Sequence, residues 1–380
     1  MFDLLITIRE KLIAWKYRYL LKPIFFRLDP EDVHERVTRL GQFLGRFAFF
    51  RFLTRACFSY QDPILEQTIL GIKFKNPVGL AAGFDKEAQL TQILPAVGFG
   101  FEEIGSITGE PCAGNPKPRL WRLPKSESLI VYYGLKNQGA EIIAKHLQTK
   151  DFTIPIGVSL AKTNNQETAS IPAGIVDYLK AYQIFINAKI GYYFTINISC
   201  PNTFNGMPFI IPANLALLLT ELNKLARPRP IFLKLSPDIP LSDLDQIISL
   251  AEQYKISGFI STNLAKDKSN PAMTERIKDT LPTTNGGLSG KVVEGLSDNQ
   301  LRYLAEKTKG QFILVACGGI FNALDAYRKI RAGASLVQLA TGMIFKGPQV
   351  IGAINHGLVH LLKQDGFTSI TEAVGVDLKV

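Results

Sequence analysis

Residues 192–205 read YYFTINISCPNTFN, an apolar run that ends in a turn of polar side chains. Aromatic and β-branched residues predict a strand over Tyr193–Asn197, and a proline stiffens the turn that follows. Two carboxamides, on Asn197 and Asn202, and the thiol of Cys200 are therefore held together at a strand's carboxyl end. Carboxamides donate and accept hydrogen bonds, and a cysteine whose pKa is lowered can accept a proton as the thiolate. The stretch predicts a site for a planar polar ring, with a loop carrying an inert cysteine as the alternative.

The same order of strand, turn and helix recurs from about residue 63 onward. Eight strand–helix units in roughly 300 residues match a (β/α)8 barrel, the α/β fold that we predict. A doubly wound sheet is the alternative, but the turn at Gly79–Gly83 lacks the GxGxxG spacing of such sheets. The strands are predicted over Val78–Ala82, Phe101–Gly105, Ile154–Ser159, Tyr193–Asn197, Ile231–Leu235, Gly258–Ser261, Phe312–Ala316 and Leu336–Leu339, with helices over, for example, Asn214–Leu225, Ser242–Gln253, Asn322–Ala332 and Val350–Leu362.

Unusual residues collect at the carboxyl ends of the predicted strands, where barrels of this type hold their active sites. The turns after the seventh and eighth strands are places where backbone N–H groups bind phosphate. Lys234 lies inside an apolar strand, where a charge without a partner is costly. All these residues together, in this order along the chain, indicate an active site more strongly than any one motif. They are Ala81–Lys86, Asn197–Asn202, Lys234, Thr262-Asn263, Gly318-Gly319 and Ala340–Gly342.

Residues 1–58 are predicted to form a helical cap ahead of a barrel domain at 59–380. Basic side chains outnumber acidic ones in the first helix, and a basic amphipathic helix with Trp and Tyr suits a membrane surface. A helix packed on its own domain is the alternative. A second helix is predicted to begin at Asp29, with Pro30 in its first turn. The apolar face of the first helix comprises Met1, Leu5, Ile8, Leu12, Trp15 and Tyr19.

Composition argues against several other classes of protein. The net charge of +10 suits an anionic partner, but zinc-finger spacings and dense basic blocks that would predict nucleic-acid binding are absent. The four cysteines form no CxxC pair, and no run of 18 apolar residues occurs. His356 and His360 lack the glutamate of a metalloprotease motif, so no metal site is predicted. We expect a peripheral membrane protein on the cytoplasmic face, with reduced thiols.

Eight segments of the chain resemble the dihydroorotate dehydrogenase family, of the membrane-associated, quinone-reducing class. They are long and stand in family order from about Leu20 to the last helix. The resemblance implies an FMN-binding barrel with an N-terminal helical cap. It also implies oxidation of dihydroorotate to orotate in pyrimidine biosynthesis, with a membrane quinone reoxidising the flavin. The segments are FRLDPEDVHE, GLAAGFDKEAQL, GFGFEEIGSIT, GNPKPRLWRL, NISCPNT, GGLSGK, CGGI and GASLVQLATGMIFKGP.

The resemblance implies roles for single residues as well. Cys200 stands at the position of the catalytic base, and Lys234 at that of a lysine which stabilises the reduced, anionic flavin. Lys86 would pair with the substrate carboxylate. His34 and Arg122 match positions near a quinone tunnel. Asn197, Asn202 and Asn263 would bind the substrate ring, and the flavin would lie against Ala81, Ala82, Gly83, Ser106, Ser159, Asn197, Lys234, Thr262, Gly290, Gly319, Ala340 and Thr341.

The chain departs from the family pattern inside the expected substrate pocket. Val131 stands where a substrate-binding Asn is usual, and Leu264 where a Thr is usual. Ser159 replaces an Asn that contacts the flavin, and Ala340 replaces a Tyr near the quinone tunnel. The quinone-reducing class normally has Ser as its base, whereas Cys is the base of the soluble classes. With Cys200, this chain therefore combines the base of the soluble classes with the N-terminus of the membrane-associated class. At about 1–3 kcal/mol for each unpaired polar group, the two aliphatic replacements would weaken dihydroorotate use by about two to four powers of ten.

Three functions are therefore consistent with the sequence. The first is quinone-linked oxidation of dihydroorotate. The second is an FMN oxidoreductase that acts on a different, less polar ring, which Val131 and Leu264 would suit. The third is a membrane-bound flavin-binding protein with little turnover. Bleaching of a bound flavin by dihydroorotate in the absence of oxygen separates the first function from the other two.

Overall fold

A closed barrel of eight parallel strands forms the body of the computed structural model, which describes residues 2–275 and 285–378. Each strand pairs with the next along the chain, and the eighth pairs with the first, so the ring has no edge. The prediction of a (β/α)8 barrel is confirmed. The barrel strands span Val78–Leu80, Phe101–Ile107, Ile156–Leu160, Tyr193–Asn197, Ile231–Leu235, Gly258–Ser261, Ile313–Cys317 and Leu336–Leu339.

Helices surround the barrel and pack on it through one large apolar core. The predicted strand bounds lie within about two residues of the observed ones, because a strand buried on both faces is a continuous apolar run. The helices that follow the cap are Leu94–Val97, Ala140–Leu147, Ile171–Asn187, Pro212–Leu222, Leu241–Gln253, Glu294–Thr308, Ala323–Arg331, Thr341–Lys346, Val350–Gln364 and Ile370–Ala373, with short 3-10 turns at Pro63–Leu65, Pro208–Ile210, Lys291–Val293 and Val376–Leu378.

The barrel interior is filled in layers whose polarity changes along the strands. Strand residues two apart point to the same side, so Phe101 and Glu103 face the interior in succession, as do Phe232 and Lys234. Apolar side chains fill the layer near the amino ends, where an antiparallel hairpin packs against them. The next layer is polar and lies beneath the carboxyl ends. The two hairpin strands are Gln67–Ile69 and Ile72–Phe74.

A three-stranded antiparallel sheet lies over part of the carboxyl end of the barrel. Its strands are Leu120–Leu123, Ser128–Val131 and Gly287–Gly290. Backbone hydrogen bonds between Ala265 and Leu288 connect this sheet to the loop after the sixth barrel strand. The sequence analysis does not predict the sheet, because the strands are short and the last one, rich in glycine, pairs with a segment far away along the chain.

The N-terminal cap contains one helix more than the predicted pair, within the part of the chain that the structure describes. The first helix, Phe2–Lys16, continues through a π-helical turn at Tyr17–Leu21 into Lys22–Arg27. The second, Pro30–Arg46, is capped as predicted, since the Asp29 side chain accepts hydrogen bonds from two backbone N–H groups of its first turn. The segment beyond it forms a third helix over Ala48–Phe58.

An extended residue separates the second and third cap helices. Phe47 has φ −110° and ψ 128°, which ends the second helix. The guanidinium of Arg51 then donates a hydrogen bond of 2.7 Å to the Gly45 carbonyl oxygen. A carbonyl group that the broken helix leaves without its usual partner is thereby satisfied, which stabilises the break.

The predicted apolar face of the first helix points away from the barrel. Its members Leu5, Ile8, Leu12, Trp15 and Tyr19 are all about half exposed, whereas Met1 lies outside the described residues. Among the described residues, no helix has the length and apolar character needed to cross a bilayer. The opposite side of the helix packs on the barrel domain through buried Ile6 and Tyr17. Tyr17 donates a hydrogen bond of 2.7 Å to the Ile344 carbonyl oxygen.

A buried ion pair fastens the second cap helix to the barrel domain. The Arg119 guanidinium lies 2.8 Å from a Glu31 carboxylate oxygen, and the two side chains are only 6% and 4% exposed. The same guanidinium donates to the carbonyl oxygens of Ala113 and Asn115, so it joins the helix to the loop before the antiparallel sheet. Removing one member of such a pair leaves an uncompensated charge in the interior.

We expect the substitution Glu31→Gln to lower the free energy of unfolding by about 3–5 kcal/mol, because Arg119 would stay buried without a counterion. Urea unfolding followed by circular dichroism measures the change. Arg39→Ala is the matched control on the same helix, since Arg39 pairs with Glu35 while 73% exposed, and we expect it to cost less than about 1 kcal/mol. Equal losses in the two variants would contradict the assignment.

Candidate active site

A cavity lies at the carboxyl ends of the barrel strands, beneath the antiparallel sheet and the cap. Together with its open mouth it encloses about 1280 Å³, and its wall is mostly apolar with a few polar side chains. The structure brings most of the predicted site residues together on this wall. They are His34, Ala81, Ala82, Gly83, Lys86, Ser106, Asn197, Cys200, Asn202, Lys234, Thr262, Asn263, Gly290, Gly319, Ala340 and Thr341.

Two predicted residues lie away from the cavity wall. Ser159 is fully buried behind it, and its hydroxyl oxygen is 2.7 Å from that of Ser106. Arg122 lies under the cap, where it donates a hydrogen bond of 2.8 Å to the Leu28 carbonyl oxygen and stacks over the Phe26 ring. Ser159 therefore acts on the site through Ser106, and Arg122 holds the end of the first cap helix.

The floor of the cavity carries a buried charge pair. Lys234 is 3% exposed, and its Nζ lies 3.9 Å from an oxygen of Glu103, which is fully buried. The other carboxylate oxygen of Glu103 accepts hydrogen bonds from Gln338, Thr195 and Tyr193 at 2.9, 3.2 and 3.4 Å. Neutral donors thus hold the carboxylate in place beneath the lysine. This arrangement keeps a cation at the floor of an otherwise apolar cavity.

A chain of hydrogen bonds orders the carboxamides above this floor. The Asn197 side chain donates to the Ser106 hydroxyl at 2.8 Å. Asn263 donates to the Asn197 side-chain oxygen at 3.1 Å and to the Ser199 hydroxyl at 2.9 Å. Asn202 donates to the Val131 carbonyl oxygen at 2.7 Å, which joins the loop after the fourth strand to the antiparallel sheet. The groups predicted to bind a ring are therefore preoriented by each other.

The sequence analysis makes proton uptake by Cys200 depend on a lowered pKa, and the structure does not lower it. Burial raises its pKa to about 11, and this is the largest effect. A backbone N–H of Asn202 and the charges of Lys162 and Lys234 offset only part of it. The thiol is therefore protonated at neutral pH in the protein without ligand. A base at this position has to lose its proton before it can accept one from a substrate.

Lys86 carries a cation into the cavity without a hydrogen-bond partner. Its amine is shielded from solvent and makes no hydrogen bond within the described residues, and it lies 4.1 Å from the centre of the Tyr133 ring. Burial, together with the smaller effect of the nearby charge of Lys136, lowers the pKa of the amine to about 8. An amine of this kind is poised to bind an anion, because a carboxylate would supply the missing hydrogen bonds and restore its charge.

His34 reaches the cavity from the second cap helix. Its Nε2 donates a hydrogen bond of 2.8 Å to the Phe84 carbonyl oxygen, and its ring meets the Phe84 ring edge-on. Burial lowers the pKa of the imidazole to about 3, with Lys86 adding to the effect. The histidine is therefore neutral at physiological pH, and its hydrogen bond fixes the tautomer that protonates Nε2.

The glycine-rich turns after the last two strands meet the antiparallel sheet at one side of the cavity. Gly290 and Gly319 have φ +100° and +72°, conformations that favour glycine. A Cβ on Gly319 would come within 2.4 Å of the Glu294 side chain, so the backbone packs there without room for a larger residue. The Thr341 hydroxyl is 3.0 Å from that of Ser289. Hydroxyl and backbone groups thus converge on a part of the wall suited to a phosphate.

Several lining or supporting residues escape the sequence analysis. Glu103 and Gln338 are polar residues inside apolar strands. The same pattern identifies Lys234, so it could have identified these two residues as well. Leu120, Leu129 and Ser289 line the cavity because the antiparallel sheet brings them there. Since that sheet joins distant segments, no local pattern of the sequence places them.

Comparison with known proteins agrees with this geometry. Residues 64–362 match the protein family described as dihydroorotate dehydrogenase. A relative from Trichodesmium erythraeum (strain IMS101), named dihydroorotate dehydrogenase (quinone), is 35% identical over 381 residues, which cover 95% of this chain and 98% of the relative. The chain belongs to the dihydroorotate dehydrogenase family. The resemblance read from the sequence is thereby confirmed.

Further relatives and solved structures agree. A dihydroorotate dehydrogenase (quinone) from Helicobacter acinonychis (strain Sheeba) is 38% identical over 361 residues, covering 95% of this chain and 99% of the relative. A crystal structure of DHODH from Eimeria tenella, in complex with ferulenol, is similar with a TM-score of 0.78 at 28% identity. That similarity covers 93% of this chain and 96% of the other. Similarity to the dihydroorotate dehydrogenase family therefore extends over cap and barrel together.

Val131, Leu264 and Ala340, where the resemblance implies a departure from the family pattern, lie on the wall of the same cavity. Val131 and Leu264 both line it, close to the asparagines and to Cys200. Ala340 lines it beside the glycine-rich turns. The cavity wall therefore carries aliphatic side chains beside its asparagines, lysines and the Cys200 thiol.

Proposed function

We propose that the chain oxidises dihydroorotate to orotate, holds FMN while it does so, and passes the electrons to a membrane quinone. Its family and the names of its relatives support this function. The observation that carries it is the cavity itself. One cavity gathers the Lys86 cation, which has no hydrogen-bond partner among the described residues, a second cation at Lys234, a row of carboxamides and the thiol of Cys200.

The residues present fit an FMN molecule. Gly83 has φ +104°, and a Cβ on it would meet no atom within 4 Å, so the backbone after the first strand lies open to a flat ring. The flavin would contact Ala81, Ala82 and Gly83, with Lys234 at its electron-accepting edge. When bound, FMN supplies the acceptor for a hydride. The phosphate and ribityl chain would be held by Gly290, Gly319, Ala340 and Thr341, and the remaining predicted contacts are Ser106, Asn197, Thr262 and, through Ser106, Ser159.

The other polar groups would hold and deprotonate the substrate. Lys86 would pair with the carboxylate of dihydroorotate, which supplies the hydrogen bonds that its amine lacks. Asn197, Asn202 and Asn263 would bond the ring. Cys200 would take a proton from the ring carbon as thiolate, and the thiol so formed would return that proton to solvent. Positioned donors and a positioned base are what this oxidation needs from the protein.

The cap would connect the site to the membrane. His34 lines the cavity and Arg122 lies beside Phe26 under the first cap helix, so a quinone tail entering between cap and barrel would pass both. Apolar side chains of the cap are exposed, and basic ones lie among them. A surface of this kind suits peripheral binding to an anionic bilayer, here its cytoplasmic face. The exposed apolar side chains include Leu4, Leu5, Ile8, Leu12, Trp15, Tyr19, Leu20, Ile24, Leu40, Phe43, Phe49 and Phe52.

Anaerobic reduction of the bound flavin tests the proposed function. We expect the purified protein to be yellow and dihydroorotate to bleach it within seconds. In the variant Cys200→Ala we expect the flavin to stay bound while bleaching slows by about 10²–10⁴, the usual contribution of a general base. Dithionite should bleach both proteins. A flavin that dithionite reduces and dihydroorotate does not would rule out this substrate, and a protein unable to bind FMN would refute the proposal altogether.

The pH profile of kcat/KM should reflect the two perturbed groups. Lys86 is charged below about pH 8, and Cys200 is ionised only above about pH 11, so both are in the active form in roughly 10⁻³ of the free protein. We expect kcat/KM to rise tenfold per pH unit up to about pH 8 and then to level off. In Lys86→Arg the cation persists, so the rise should continue beyond pH 9. Levelling at the same pH in both proteins would disprove the assignment to Lys86.

A second candidate function is oxidation of a less polar ring, and the observation that favours it is the place of Val131 and Leu264 on the cavity wall. If dihydroorotate is a poor substrate for this reason, Val131→Asn with Leu264→Thr should raise its kcat/KM by about 10² or more. Ile344→Thr, which adds a hydroxyl elsewhere on the same wall, is the matched control and should give no gain. No gain in the double variant would show that the ring is bound without these two positions.

A further inference from the structure

Three potential metal ligands converge on the side of the protein where the first helix meets the barrel domain. Nε2 of His356 lies 2.8 Å from Oδ1 of Asp3, and Nε2 of His360 lies 3.3 Å from the same oxygen. The two Nε2 atoms are 3.0 Å apart. Ligands on a tetrahedral zinc ion are about 3.3 Å apart, because each lies about 2.0–2.1 Å from the metal. The triangle of atoms therefore has nearly the size of one face of a zinc coordination shell.

The ring nitrogens of this triangle can be bridged by a proton or by a metal ion. Nδ1 of His356 lies 3.1 Å from an oxygen of Glu10, a contact in which the ring nitrogen must carry the proton. In the neutral ring, Nε2 then bears a lone pair, and this lone pair faces the Asp3 carboxylate and the Nε2 of His360. These three atoms need a cation among them. A proton on Nε2 of His356 would make one hydrogen bond to Asp3, whereas a metal ion would bond to all three atoms, including Nε2 of His360.

The surroundings of His356 match those of a metal-bound histidine. Its side chain is 6% exposed, and the Tyr60 ring packs on it with centroids 4.6 Å apart. Metal-ligating histidines usually donate their second N–H to a carboxylate, which fixes the tautomer and strengthens the ligand. Glu10 provides this carboxylate from the same helix as Asp3, two turns further on. Asp3 and His360 are more than half exposed, which leaves a path for the ion and room for water as a further ligand.

We propose that Asp3, His356 and His360 form a binding site for a divalent transition metal, with Zn²⁺ as the ion that suits two imidazoles and one carboxylate. The site joins the first cap helix to Val350–Gln364 of the barrel domain, and Glu10 supports His356. It lies outside the candidate active site and does not depend on the proposed activity. Its role would be to fasten the membrane-facing helix to the barrel.

Metal binding to the full-length chain, without an affinity tag and freed of metal by a chelator, tests the proposal. We expect calorimetry to detect one equivalent of Zn²⁺, and Co²⁺ in the same site to show the visible absorption of a low-coordinate complex. Asp3→Ala and His360→Ala should abolish both signals. These positions are exposed, so both variants should fold. His146→Ala is the matched control, because His146 lies on a different helix and should leave binding unchanged.

Two further measurements separate a metal site from an ordinary ion pair. Glu10→Gln should weaken Zn²⁺ binding by about 10–100-fold, the usual effect of removing a carboxylate behind a metal-bound histidine. Zn²⁺ should also slow tryptic cleavage after Lys11 and Lys16 in the native chain and leave the rate in His360→Ala unchanged. Absence of binding at micromolar Zn²⁺, or binding that survives in His360→Ala and is lost in Cys57→Ser, would overturn the proposal. Neither readout involves the flavin or turnover.

Discussion

The pairing of Lys234 with Glu103 inside the barrel is the constraint on which the site depends. A parallel barrel fills its interior with side chains, and most of that interior here is apolar. A lysine in it requires a nearby anion, since an isolated charge is costly to bury. Glu103 supplies the anion, and three neutral donors on other strands hold it. The charge pair thus fixes a cation at the cavity floor, and the rest of the wall is arranged around this point.

The cap depends on a different kind of contact. Its outward-facing surface is apolar and exposed, so burial of that surface does not hold the cap on the barrel. The inward side packs through a few buried apolar groups such as Ile6 and is also attached at polar points, namely Glu31 with Arg119, the Tyr17 hydroxyl with a carbonyl group, and Glu10 with His356. Such contacts fix position without covering the apolar face. The face therefore stays exposed, as the proposed membrane binding needs, while the cap keeps its place over the cavity.

Features that depend on residues close together in the sequence could be predicted, and features that depend on residues far apart could not. The barrel strands could be predicted because each is a local apolar run, and Tyr193–Asn197 and Ile231–Leu235 match the structure residue for residue. Part of the cavity wall could be predicted because barrels place function at strand ends, whereas His34 and Gly290 were implied only by the family resemblance. The antiparallel sheet could not, because its strand pairing joins segments that lie about 150 residues apart.

The same limit applies to side-chain clusters and to pKa values. Asp3 and His356 are separated by 353 residues, so the histidine pair on its own gave no reason to predict a metal site. The pKa of Cys200 depends on burial by walls that come from many segments. A local motif supplies the thiol, but the whole fold decides its charge.

One physical cause links the unusual features of the cavity. Burial disfavours charge, and so it raises the pKa of the Cys200 thiol and lowers that of the Lys86 amine. A serine hydroxyl starts from a far higher pKa than a thiol, so the same burial would leave it almost without ionised form. A thiol remains ionisable at a pKa of about 11. With Cys200 as the proposed base, a thiol therefore suits this pocket better than a hydroxyl would, because the more apolar the pocket is, the more acidic its base has to be.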